Sequence, residues 1–277
     1  TTKEPETTNS KLNVLDLANL DQPKVFDSLY VYPRTKNYVY SPDAKFLSFV
    51  TQEPSGTAFK LNVLKLSELG QKLSFDHFYF GEGIKFDAAS YLRRKGQYHH
   101  SFNYSSDAKF LSYITQKNKA GPLQLNVLNL TTLDDPRSFD NLYFYREKLS
   151  DERLNRSFLS QYIYSNHYSP DGKFLSFITQ TDDKAPLQLN VLNLTTQAPP
   201  KRFDRFHLYS YHERHSYSEN SKTLLFITQE NDKAPLRLNV LNLTTFDQPQ
   251  RFEHFLQTKC GYPISISPTV LTPNFYP

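Results

Sequence analysis

Residues Ser165 to Tyr211 read SNHYSPDGKFLSFITQTDDKAPLQLNVLNLTTQAPPKRFDRFHLYSY and divide into four strand-like pieces. The first, ending at Tyr168, runs into Ser169-Pro170-Asp171-Gly172, where proline suits the second turn position and glycine the fourth. In the second piece, KFLSFITQ, Phe174, Ser176 and Ile178 alternate with Leu175, Phe177 and Thr179, and aromatic and β-branched residues are enriched. The third piece is LQLNVLNL, and the fourth begins near Arg202-Phe203-Asp204. Short strands separated by turn signals, with no long amphipathic helix, predict an all-β array.

The stretch is one copy of a repeat. The string LNVL begins at Leu12, Leu61, Leu125, Leu189 and Leu238, at spacings of 49, 64, 64 and 49 residues, so two copies carry an insertion of 15. Sister second strands follow YSPDAKFLSFVTQ from Tyr40, YSSDAKFLSYITQ from Tyr104 and YSENSKTLLFITQ from Tyr217. The fourth piece recurs as VFDSLYVY, SFDHFYF, SFDNLYFY, RFDRFHLY and RFEHFL, placing an acid at Asp27, Asp76, Asp140, Asp204 and Glu253. An acid repeated in outer strands is expected to make a structural hydrogen bond.

These residues resemble the TolB-type propeller repeat, a relative of the WD repeat, over nearly the whole chain from Lys11 to about Ser267. The resemblance implies a β-propeller of four-stranded antiparallel blades, with each first strand lining a central channel; it is specific for fold and says little about function. Ala44 and Ala108 depart from the glycine of the signature, and Ser218-Glu219-Asn220 departs from its Ser-Pro-Asp. The chain opens on a third-strand motif, KLNVLDL, and Ile266-Ser267-Pro268 matches a first strand and its turn. The expectation is five blades in a single domain over 11–277, after a flexible tail over 1–10. Pairing of the N- and C-terminal segments closes the ring and hides its edges. Pro273 and Pro277 fit the closing second strand poorly.

Composition fits a folded globular chain of 277 residues with 38% hydrophobic and 22% charged residues. The net charge of +4 is too weak and too evenly spread to predict a nucleic-acid partner, and no stretch approaches the roughly 18 apolar residues of a membrane-spanning helix. Cys260 is the one cysteine, which excludes an internal disulfide, and the absence of methionine fits a mature chain outside the cell or in the periplasm. Without tryptophan, the 22 Phe and 19 Tyr must carry the packing between blades.

Both insertions, at about 81–99 and 145–163, fall between a fourth strand and the next first strand, on one face and in neighbouring blades. DAASYLRRKG from Asp87 and SDERLNRSFLSQY from Ser150 read as short helices on that rim. Arg93, Arg94 and Lys95 are its candidate basic contacts, and His99, His100, His167, His212 and His215 gather in or just before first strands, near the channel mouth. No histidine pair has a metal-motif spacing, so polar lining is expected rather than a metal or cofactor.

Catalysis finds little support. Glycosidases of this fold hold paired carboxylates in the channel, whereas here Glu213 is the one acid in the first strands, and Asp43, Asp107 and Asp171 occupy turns at the far end. A lectin with one site per blade is the alternative, resting on the repeated Gln52, Gln116, Gln180 and Gln229 with Tyr79, Tyr143 and His207, although the glutamines also suit bonds to loop backbone. Sequons at Asn103, Asn129, Asn155, Asn193 and Asn242 matter only in a glycosylating host. The expected function is a non-enzymatic scaffold that engages a protein, or else a glycan, through the face bearing the insertions.

Overall fold

The computed structural model describes residues 10–16, 19–29, 38–52, 58–69, 72–78, 102–118, 121–145, 163–164, 166–182, 184–207, 215–231 and 233–252. Two compact units, 1–139 and 140–277, divide the chain.

The first unit begins with the third and fourth strands of copy one, Ser10–Asp16 and Asn19–Leu29. Copy two supplies Tyr38–Tyr40, Phe46–Gln52, Phe59–Lys65 and Lys72–Phe75, and copy three Phe102–Tyr104, Phe110–Thr115, Gln124–Asn129 and Arg137–Phe139. The second unit holds copy four, Asn166–Tyr168, Phe174–Thr179, Gln188–Asn193 and Lys201–Phe203, and copy five, His215–Tyr217, Thr223–Gln229, Leu236–Asn242 and Gln250–Phe252. Each complete copy is an antiparallel sheet whose strands pair in chain order. The four-stranded unit read from the repeat is therefore the unit of structure.

The repeated residues explain the sheet. In the turn of copy four, Gly172 N–H donates to the Ser169 carbonyl at 2.9 Å and Gly172 takes a φ of 73°. Ala44 (56°), Ala108 (58°) and Ser221 (57°) occupy the same left-handed position, so the turn demands this conformation even where glycine is missing. Asp171 Oδ1 accepts from the Ser169 hydroxyl at 2.7 Å and from Lys173 N–H at 3.1 Å, while Ser169 Oγ accepts from Phe174 N–H at 3.0 Å. The same bonds recur around Asp43 and Asp107.

Central strands are buried on both faces, as in Phe46 to Val50, because sheets stack on either side. The asparagine of LNVL lies at the heart of each complete sheet. Asn62, Asn126, Asn190 and Asn239 are buried and donate through Nδ2 to Thr51, Thr115, Thr179 and Thr228 Oγ1 at 2.9, 2.9, 2.9 and 3.0 Å. Ser74 and Ser138 donate to the asparagine Oδ1 from the fourth strand. In copies two and three one amide thus ties second, third and fourth strands, and in copies four and five it ties the second to the third.

Aromatic rings join neighbouring copies, as the absence of tryptophan led us to expect. Phe26 meets Phe49 at 5.0 Å between ring centroids, Phe75 meets Tyr113 at 4.7 Å and Phe203 meets Phe226 at 4.8 Å. Each pair sets a fourth-strand ring against the second strand of the following copy and adds about 1 kcal/mol to its area burial.

The fourth strands are shorter than their sequence pattern: those of copies two to five end on the aromatic residue before the acid. The residue after the acid is left-handed in four copies, at Ser28 (60°), His77 (56°), Asn141 (58°) and Arg205 (58°), which takes the backbone out of the ladder. It then crosses to the next second strand. Leu29, Phe78, Leu142 and Phe206 bridge Thr51, Thr115, Thr179 and Thr228. The carbonyls of His77, Asn141 and Arg205 accept from Gln116, Gln180 and Gln229 N–H at 2.9, 3.0 and 3.0 Å. A backbone clasp therefore reinforces each aromatic pair.

Copy one differs. Among the described residues Ser10–Asp16 pairs with Asn19–Leu29 alone, and Asn13, the counterpart of the four buried asparagines, is exposed. The expected closing segment falls within residues 253–277, outside the described residues.

Candidate binding face

The chain between fourth and first strands is short in copies two and five and long in copies three and four, as the repeat spacing requires. The long connections fall on 79–101 and 146–162, so Arg93, Arg94, Lys95, His99, His100, both expected helices and likewise His212 lie outside the described residues. The neck of the second insertion is described. Phe144 pairs with Tyr164 and Tyr145 with Ile163 in a two-stranded antiparallel ladder, so the insertion leaves and rejoins the sheet as a stem. The ladder starts two residues beyond the Leu142 bridge, and Tyr143 N–H donates to the Ile178 carbonyl at 2.9 Å. Its base is thereby fixed to the second strand of copy four.

His167 and His215 lie on the first strands of copies four and five, their rings at 5.0 Å and 79°. His167 is exposed and His215 half-buried, with the Phe206 ring centroid 6.0 Å from that of His215. The Ser176 hydroxyl donates to the His167 carbonyl at 3.2 Å, and its Oγ is 2.7 Å from His215 Nε2. The direction of the shorter bond follows the tautomer of the His215 ring. Ser176 is fully buried, so this arrangement does not present its hydroxyl to a ligand as a nucleophile would be presented. Nor does it present a ligand pair, since Nε2 faces Ser176 and Nδ1 is buried. No group of three or more metal-ligating side chains occurs among the described residues.

Below the histidines the first strands repeat a tyrosine. Ser48 Oγ and Tyr104 OH meet at 2.5 Å, joining the second strand of copy two to the first strand of copy three. Burial pushes the Tyr104 phenol up to about 12; the Ser48 bond pulls against that and the Asp43 charge adds to it. Tyr217, partly buried with its hydroxyl enclosed, is likewise pushed up by burial. The Tyr104 hydroxyl is thus a neutral structural link between copies two and three.

The acids also have structural partners. At Asp43 and Asp171 burial acts to raise the carboxyl, but the serine hydroxyl and the lysine N–H outweigh it and hold both below the usual range. Asp27 pairs with Lys11 at 3.2 Å, Asp76 with Lys60 at 3.1 Å, and Asp204 accepts from Gln188 Nε2 at 2.9 Å. Each partner is the residue before LNVL, so the fourth-strand acid secures the edge of its own sheet.

The repeated glutamines bond loop backbone. Gln116, Gln180 and Gln229 Nε2 donate to the carbonyls of Gly121, Ala185 and Ala234 at 2.7, 2.8 and 2.9 Å, closing the loop between second and third strands. Tyr143 packs against the apolar cluster of copies four and five. In NLTT, Asn129, Asn193 and Asn242 Oδ1 accept from Thr131, Thr195 and Thr244 N–H at 2.9, 2.9 and 2.8 Å, which ends the third strand.

A cavity of about 350 Å³ opens beside Ser28, over Phe26 and Phe49, with Lys60 and Lys72 at its rim. In copy four the equivalent Arg205 donates to the Glu230 carbonyl at 2.6 Å, a reach that serine lacks.

No family model and no curated protein matches the chain. Among solved structures it is similar to TolB from Acinetobacter baumannii, at 16% identity over 86% of this chain and 48% of that one, with a TM-score of 0.36. A putative TolB from Agrobacterium tumefaciens matches at 12% identity, 88% and 74% coverage and a TM-score of 0.37. The β-propeller domain of the Trilobed protease from Pyrococcus furiosus matches at 7%, 77% and 55%, and 0.40. The chain spans about half the length of the Acinetobacter protein and of the Pyrococcus domain. The likeness is one of fold, to TolB and other propellers.

Proposed function

We propose that this chain is a non-enzymatic binding propeller of five blades that engages a protein partner through the face carrying the two insertions. The observation that carries the reading is the paired neck of the second insertion, Phe144 with Tyr164 and Tyr145 with Ile163, seated on a clasped strand exit. A loop held at its base by a rigid sheet presents its residues with less ordering cost than a free one. The described acids support a binding role over a catalytic one, because those of the turns and of the fourth strands are engaged in holding the sheets together.

The test replaces residues 81–99 and 146–162 with the short connections of copies two and five. Partners captured by the intact chain are purified and titrated against both forms by calorimetry. Loss of binding with an unchanged melting temperature supports the proposal, and undiminished binding rejects it. The lectin alternative predicts instead a reproducible hit on a glycan array, competed by a simple sugar and insensitive to the loop replacement.

A further inference from the structure

The fourth strands of copies three to five begin just after a proline, at Arg137, Lys201 and Gln250. That proline stands three residues before the fourth-strand aromatic in four copies, as Pro23, Pro136, Pro200 and Pro249, and copy two has Lys72 there instead. Lysine keeps the N–H that proline lacks, and this strand starts one residue earlier, on Lys72, which pairs with Leu64. The ladder thereby fixes the base of a cationic side chain whose ammonium lies 6.0 Å from the centroid of the Phe26 ring in copy one. Among the described residues no carboxylate pairs with it, although Lys60 and Lys65 of the same sheet each have one.

The ammonium stands at the rim of the cavity between copies one and two, whose floor is the Phe26 and Phe49 ring pair. A second departure from the repeat opens that cavity. Ser28 is the smallest of the left-handed residues that follow the acid, the others being His77, Asn141 and Arg205. At the junction of copies four and five, where Phe203 and Phe226 are the ring pair, Arg205 reaches across to the Glu230 carbonyl, and Glu230 also pairs with Arg237 at 3.4 Å. Serine is too short to make such a crossing.

We infer that this cavity is a binding site for a small aromatic carboxylate. Its volume of about 350 Å³ falls at the lower end of the roughly 300–1,000 Å³ of ligand sites, which suits a molecule of one ring rather than a polymer. The two phenyl rings take the apolar body, and Lys72 takes the carboxylate in a charge-assisted contact, stronger than one between neutral groups. Ser28 and Thr51 line the same space, and Thr51 Oγ1, which accepts from Asn62 Nδ2 at 2.9 Å, keeps its own proton to donate. The other charges of the lining are offset, Asp27 by Lys11 at 3.2 Å and Lys60 by Asp76 at 3.1 Å, which leaves Lys72 to set the sign of the ligand.

Calorimetry on the full-length chain at constant ionic strength tests this, with benzoate as the probe, benzamide as its neutral counterpart and acetate as the anion without a ring. Benzoate should bind at one site, with benzamide and acetate weaker by about tenfold or more, the loss expected when the charge-assisted bond or the buried ring is removed. Lys72→Gln should weaken benzoate by about tenfold and leave benzamide unchanged. Ser28→Arg installs the copy-four residue in the left-handed conformation that Arg205 already adopts, and should fill the cavity and abolish binding at an unchanged melting temperature. Lys72 is exposed, so its replacement tests the site whether or not the arginine is accommodated. No binding of benzoate at millimolar concentration, benzoate bound no better than benzamide or acetate, or an affinity untouched by Lys72→Gln each overturns the inference. Neither variant alters an insertion, so the partner-binding reading stands or falls separately, by the loop exchange.

Discussion

Alanine holds a left-handed backbone at 44 and 108, where its methyl group crowds the following carbonyl, at a cost of roughly 1–2 kcal/mol per residue. Glycine removes that cost and returns roughly 0.5–1 kcal/mol of it as unfolded-chain entropy. Ala44→Gly and Ala108→Gly should each stabilise by about 0.5–1 kcal/mol in urea unfolding, and Gly172→Ala should destabilise by a similar amount. Ser221 is not an equivalent site, because its hydroxyl accepts from Asp171 N–H at 2.9 Å across two copies. The turn motif announced this position, since Ser-Pro-Asp-Gly-Lys places a glycine there. The second left-handed position carried no such signal. Ser28, His77, Asn141 and Arg205 share neither size nor charge, and the bridge that follows them, rather than their own preference, imposes the conformation.

At the scale of the strand, what joins one copy to the next is a ring pair, a backbone clasp and a tyrosine hydroxyl. Ser48 and Tyr104 are both buried, so removing either leaves its partner without the bond. Ser48→Ala should cost about 1–3 kcal/mol, while Ser48→Ala with Tyr104→Phe should cost less than the sum of the single changes. A double-mutant cycle by chemical denaturation measures the difference; additive losses would show that the short contact contributes nothing. The sequence made the strands, their order and the loop-bonding role of the glutamines legible, because each rests on local chemistry repeated four or five times. Of the five histidines expected to gather, His167 and His215 lie within the described residues, and the geometry of that pair was not legible. The pairing of His215 with Ser176 depends on which strands of separate copies lie side by side, a long-range fact that no local pattern encodes. The two-residue ladder at the neck of the insertion was likewise too short to leave a period in the sequence.

Within each unit the same ring pair and backbone bridge recur between successive copies, which is the condition under which stability is carried by nearest neighbours. Asn239 offers a local perturbation. Its amide donates to Thr228 Oγ1 at 3.0 Å and to the Phe226 carbonyl at 3.3 Å, and both bonds lie within copy five. Asn239→Ala should therefore unseat the centre of that sheet, at a cost of about 1–3 kcal/mol, by breaking hydrogen bonds internal to copy five. In native-state hydrogen exchange the amides of 223–229 and 236–242 should lose protection most. Those of 174–179, which share an apolar cluster with copy five, should lose less, and those of 46–52 and 59–65 should keep theirs. A uniform loss from 46 to 242 would instead mean that the blades unfold as one cooperative body. Local loss bears on the proposed binding role: an insertion seated on one blade could then be replaced, as in the loop-exchange test, without loosening distant blades.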